Sequence, residues 1–195
     1  MTGMKKIAAL AFCMLGGVNM AQAYTGACTP DKGTQSFSFN FTPTITTVAE
    51  NTAGITKPRI YNWNLGTSYP GTCDCAPNAG GNTFYKAEIP GLVFDRTLSG
   101  LNYYAINKYL SVASELYVQG NVKNYFATPL MDFDNQFGSI CATTLNYGTG
   151  SQGYVSLYFI RPFVGQVVIP PTPILNVYGT KIKGSYSAIP LATVT

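Results

Sequence analysis

The sequence predicts an all-β fold, an antiparallel sandwich or barrel, on three observations. Short β-branched and aromatic runs recur between clusters of turn-forming residues. The 195 residues, 46% hydrophobic and 13% aromatic, suffice for one sizeable core and one domain. Four cysteines remain once an export signal is set aside, an even set that reads as a two-disulfide framework.

The signal comes first. Lys5 and Lys6 precede an apolar run over 7–18, and Ala21, Gln22 and Ala23 supply a small-x-small cleavage site, so residues 1–23 read as a secretory signal and Tyr24 as the mature start. The apolar run is well short of the ~20 residues that span a bilayer. Cys13 falls inside it and leaves with it.

Along the mature chain, "SFSFNF" (36–41) alternates apolar and polar residues as a half-buried strand does. "LYVQGNV" (116–122), "GYVSLYFI" (153–160) and "ILNVYG" (174–179) are further strands bounded by Gly. The clusters "NLGTSYPGT", "PNAGGNT", "NYGTGSQG" and "IPPTP" supply Gly for positive φ and Pro for a preset φ. In "YYAINKYLSVASELYV" the apolar residues Tyr103, Ile106, Leu110, Ala113 and Tyr117 lie near helical spacing. That spacing predicts a short helical turn over 105–110 before a strand from Val112.

Cysteine chemistry follows from export. Cys28, Cys73, Cys75 and Cys141 allow three pairings, of which Cys28 with Cys73 and Cys75 with Cys141 is preferred. The "CDC" turn lacks both the CxxC redox spacing and the paired spacing of zinc sites, and the chain has no His. No metal and no cofactor is expected. Without His, the Ser-His-Asp and Cys-His nucleophile systems are excluded. Of 12 Lys and Arg two fall in the signal, which leaves ten against 8 Asp and Glu. So slight a basic excess, with no Lys/Arg run among aromatics, excludes nucleic acid as a partner.

Ligand candidates are polar and aromatic. "MDFDNQF" (131–137) offers Asp132 and Asp134, which share a face if the segment is extended, with Asn135 and Gln136 beside them. The same residues could instead cap turns in a solvated loop. "YNWNLG" carries Trp63, the single Trp, and Asn64; a lone Trp in a sandwich is more often a core anchor than a sugar platform. Tyr125 and Phe126 could flank a groove, with core packing the commoner fate of a Phe.

The C-terminal stretch "RPFVGQVVIPPTPILNVYGTKIKGSYSAIPLATVT", the start "YTGACTP" and the "CDC" turn resemble the receptor-binding (lectin) domain of two-domain chaperone-usher fimbrial tip adhesins, the type 1 pilus kind being the best known. The resemblance implies an elongated immunoglobulin-like, jelly-roll-like sandwich over 24–184. Residues 185–195 would then be a linker and the start of a pilin domain whose remainder is absent. It also implies a host glycan or glycoprotein bound at the far end, where the mature N-terminal residue, here Tyr24, helps form the pocket. The implied assembly partners are a periplasmic chaperone, an usher and an adjacent pilus subunit, with the fimbrium tip at the cell surface as destination. The histidine-held zinc of some relatives cannot be transferred to a chain without His. Two competing readings are weaker. A structural pilin would need a donor arm, and only three residues separate Tyr24 from Cys28. A glycosidase would need two carboxyl groups across a cleft with one pKa raised.

Overall fold

The computed structural model describes residues 23–40, 48–64, 68–120, 124–141, 144–165 and 168–195. All of the expected signal except Ala23 lies outside the described residues. The described chain is all strand and loop, without helix, in three sheets.

A five-stranded sheet runs β10 (Leu130–Ile140), β5 (Gly80–Glu88), β13 (Leu175–Thr180), β14 (Ala192–Val194), β2 (Gln35–Phe37). A six-stranded sheet runs β3 (Thr56–Asn64), β12 (Gln152–Phe159), β8 (Leu110–Val118), β7 (Leu101–Ala105), β6 (Val93–Leu98), with β9 (Asn124–Ala127) also paired to β8. A small third sheet joins β1 (Cys28–Pro30), β4 (Tyr69–Cys73) and β11 (Leu145–Tyr147). The pairs are antiparallel except β14 with β2, which is parallel.

Alternation builds the core. In β5, Tyr85 and Ala87 point inward while Phe84, Lys86 and Glu88 point out. Leu175, Val177, Ala192, Val194 and Phe37 of the first sheet meet Trp63, Leu110, Leu116, Val118, Val155 and Leu157 of the second in one cluster. Tyr69 reaches into it and donates to the Thr149 carbonyl (2.6 Å), so a buried hydroxyl keeps a partner.

Several expectations change. The helical turn over 105–110 is absent. Asn107 Oδ1 accepts from the N–H of Tyr109 (2.8 Å) and of Leu110 (3.0 Å), which turns the chain straight from β7 into β8. The misleading spacing has a physical source: β8 is buried on both faces, so it lacks the alternation of a half-buried strand. The strand expected over 36–41 is shorter, ending at Phe37, and Phe41 lies outside the described residues. The strand expected over 116–122 stops at Val118, and residues 121–122 also lie outside them. Residues 185–195, expected as a linker, include β14: Leu191, Ala192 and Val194 are fully buried, and Thr195 N–H donates to the Phe37 carbonyl (2.8 Å). Three apolar residues at those depths within four positions tie this segment to the sandwich core.

Candidate functional site at the N-terminal pole

β13 runs from one pole to the other. Leu175 pairs with Val194 near the C-terminal end, and Thr180 bridges to Ala27 near the N-terminal end. The start of the chain is sewn into that second pole from both sides. Gly26 N–H donates to the Asp74 carbonyl (2.7 Å), Asp74 N–H to the Ala27 carbonyl (2.9 Å), and Lys181 N–H to the Gly26 carbonyl (2.8 Å). Gly26 has φ 74°, and a Cβ there would lie 2.6 Å from Ile182 Cγ1, so only glycine lets the two segments pass this closely.

The disulfides pair Cys28 with Cys73 and Cys75 with Cys141. Cys28 and Cys73 face one another across β1 and β4, both buried. Asp74 sits between the two bridged cysteines and is exposed. Its Oδ2 accepts from Thr25 N–H (2.9 Å) and Thr25 Oγ1 (2.7 Å); Oδ1 takes no bond among the described residues. Those Thr25 bonds hold its carboxyl below the usual carboxylate range.

Asp74 lies in an open groove of about 730 Å³. One wall is Thr25, Ala27, Thr29 and Thr72, the other Ser185, Tyr186 and Ser187. The second wall is held from behind by Asp132, whose Oδ1 accepts from the Tyr186 hydroxyl (2.7 Å) and Gly184 N–H (2.8 Å). A charged acceptor ringed by hydroxyls can bond the paired hydroxyls of a polyol or sugar. A smaller pocket of about 220 Å³ at the opposite pole, lined by Phe39, Ile106, Ile169, Ile174 and Thr195, offers mainly apolar walls.

The sequence candidates distribute unevenly. Tyr24, partly buried, directly precedes Thr25 at the groove, and Asp132 supports its far wall. Asp132 and Asp134 do not share a face, because β10 is irregular. Asp132 has φ 48° and Gln136 φ 53°, and the pairing with β5 slips after Leu130 and again after Asp134. Asp134 caps its own turn, accepting from Gln136 N–H (2.7 Å) and from Asn82 Nδ2 (3.1 Å). Asn135 is buried, accepting from the N–H of Thr83 (3.0 Å) and Phe137 (3.1 Å). Trp63 is a core residue, 5% exposed, stacked on Phe39 with Nε1 donating to the Gly150 carbonyl (2.9 Å). Its large apolar ring and single N–H are both satisfied inside, which removes it from the ligand candidates. Asn64 is exposed at the end of β3, on the outside of the six-stranded sheet. Phe126 packs against Phe133 at a centroid distance of 4.4 Å, while Tyr125 turns outward.

No family model matches the chain. Over 190 residues it is 32% identical to protein LpfD of Salmonella typhimurium, a match covering 93% of this chain and 53% of that protein. Over 203 residues it is 28% identical to the probable minor fimbrial subunit LpfD of Escherichia coli O157:H7, covering 96% and 56%. The chain is similar in sequence to these LpfD proteins. It spans about half the length of these relatives. Among solved structures, the receptor binding domain of the plasmid-born adhesin MrkD1P of Klebsiella pneumoniae aligns over 87% of this chain and 94% of its own, at 16% identity and TM-score 0.38.

Asp74 is a groove residue that the sequence did not single out. Its signal was present in "CDC": on an extended segment, two cysteines drawn into disulfides leave the residue between them facing the other way.

Asp132 gives a pH prediction. The Tyr186 hydroxyl and the Gly184 N–H hold its carboxyl below the usual carboxylate range. A depressed carboxylate contributes stability that is complete above the unfolded value and disappears as pH falls through the folded one. Amide exchange at Gly184, divided by its intrinsic rate at each pH, should therefore be slow at about pH 6 and accelerate as pH drops below about 4, and Asp132→Asn should abolish that pH dependence. Equal acceleration in both proteins would show that Asp132 does not hold the wall.

Proposed function

We propose that this chain is the receptor-binding domain of a fimbrial adhesin and that it grips a carbohydrate, without catalysis, in the groove at its N-terminal pole. The adhesin reading draws on the similarity to LpfD proteins. The carbohydrate reading draws on one observation above all: Asp74, fixed between two disulfides, keeps an unbonded carboxylate oxygen in a groove lined by Thr25, Thr29, Thr72, Ser185 and Ser187. A host glycan or glycoprotein is the target. After signal removal at Tyr24, a periplasmic chaperone and an usher carry the full-length protein outward. An adjacent pilus subunit anchors it at the fimbrium tip through strand addition. The receptor-binding unit starts at Tyr24 and includes β14.

One site of this kind binds weakly, at about millimolar to micromolar Kd, and many copies on a cell surface multiply the effect. Probing a glycan array with the mature domain tests the reading. A defined glycan class should bind, and Asp74→Asn should weaken binding by about tenfold or more, since hydrogen bonds to charged groups contribute about 1.5–3 kcal/mol. Asn keeps an acceptor for Thr25, so the melting temperature should stay close to the parent's. A folded domain silent on every glycan would overturn the carbohydrate reading; binding indifferent to Asp74 would overturn the groove.

A further inference from the structure

The outer face of the six-stranded sheet holds a second set of groups, on the opposite side of that sheet from the core. Strand register puts Asn62 of β3, Tyr154 of β12 and Glu115 of β8 in one row. In the next row Asn64 faces Gln152 and Tyr117 faces Tyr125. The tyrosines form a continuous patch, with ring centroids 4.7 Å apart for Tyr125 and Tyr154 and 5.9 Å for Tyr117 and Tyr125. The Tyr125 hydroxyl donates to Gln152 Oε1 (2.9 Å), which fixes both side chains.

Arg59 borders this patch by an unusual route. It leaves the regular strand with φ 46°, its N–H donates to Ser156 Oγ (2.9 Å), and the pairing of β12 with β3 slips between Val155 and Leu157. Its guanidinium then lies 4.7 Å from the Tyr154 centroid. Nε and Nη2 donate to Glu115 Oε2 (2.9 Å) and Oε1 (2.7 Å), a two-point clamp on a carboxylate that is 9% exposed. Nη1 makes no bond among the described residues. Cross-strand aromatic pairing accounts for Tyr117 and Tyr125 as sheet stabilisers. It does not account for a strained arginine held in place by a buried carboxylate, an arrangement that spends stability to aim one group.

We infer that this face is a second carbohydrate subsite. It takes the apolar face of a neutral hexopyranose on the Tyr125 and Tyr154 rings, and bonds its hydroxyls through Arg59 Nη1 and the amides of Asn62 and Gln152. Aromatic rings cover the C–H face of a sugar, and planar amide and guanidinium groups match neighbouring hydroxyls. An apolar peptide side chain would leave those polar groups without partners. Glu115 cancels the charge of Arg59, which favours a neutral ring over an anionic one. The proposal stands independently of the groove at the pole.

The test is titration of the full chain with methyl β-D-galactopyranoside, methyl β-D-glucopyranoside and methyl α-D-mannopyranoside, read by saturation-transfer NMR and by tyrosine ring shifts. At least one pyranoside should bind and shift the rings of Tyr117, Tyr125 and Tyr154. Tyr154→Ala and Tyr125→Ala should each raise its Kd by about tenfold or more. If a tyrosine variant melts early, the ring shifts of the parent protein decide. Shifts at the three tyrosines support the subsite; shifts confined to the Thr25, Asp74 and Tyr186 groove overturn it while leaving the groove reading intact. Binding of none of the three sugars to this face, or preference for an apolar peptide there, also overturns it. Binding confined to the face would sink the groove and keep the subsite.

Discussion

Replacing Cys28 and Cys73 together by alanine is expected to lower the free energy of unfolding by about 4 kcal/mol, the chain-entropy value for a loop of this size. The bridge closes a separation of 45 residues and joins β1 to β4 at a facing pair. β1 is only three residues long, and the segment just before it, Gly26 and Ala27, is held to Asp74 and Lys181 by three backbone bonds. Without the cross-link the unfolded chain gains freedom, and the folded chain holds its first strand by a few backbone bonds. Urea unfolding of the oxidised parent and the double variant measures the difference; a loss under about 1 kcal/mol would mean that the β1–β4 ladder needs no staple. The same variant should bind glycan less well, because Asp74 then hangs from a single bridge, Cys75 to Cys141. On the proposed reading of the groove, stability and recognition at this pole share one device.

Much of that device was legible in the sequence. An expected export signal, an even cysteine count and the absence of His narrowed the cysteine chemistry to disulfides, and the preferred pairing of the four cysteines is the one observed. Strands with clean signals, β12 and β13, appear within a residue of their expected limits. The misses have physical causes. β3 contains Pro58 and Arg59, which argue against a strand, but it lies at a sheet edge where a missing N–H and a bulge are tolerated. β10 is polar and reads as a loop, yet it pairs with β5 across two bulges that let Asp132, Asp134 and Asn135 bond backbone groups. Asp and Asn residues that stabilise turns and those that bind sugars are the same residue types, so composition alone could not separate them. Asp74 was hidden for the opposite reason: its partner Thr25 lies 49 residues away, and only the folded chain brings them together.

Gly153→Ala is the single substitution expected to cost most in the sandwich itself, about 3–4 kcal/mol from overpacking and a strained tryptophan hydrogen bond. Gly153 pairs with Trp63 on one side and Leu116 on the other. A Cβ there would stand 2.0 Å from the Trp63 ring and 2.5 Å from the Glu115 carbonyl oxygen. The ring cannot swing away cheaply, since it is stacked on Phe39 and its Nε1 is bonded to Gly150. The carbonyl belongs to the β8 ladder and moves only with the strand. Shrinking the ring in Trp63→Leu should recover part of the cost, so the double variant should be less destabilised than the sum of the two single ones. Displacing the Glu115 backbone also shifts the carboxylate that clamps Arg59, so whatever fold Gly153→Ala retains should show altered ring signals at Tyr154. Thermal melting of the three variants measures the first effect and NMR the second. A Gly153→Ala protein as stable as the parent would mean that Trp63 does not fill the space above this glycine.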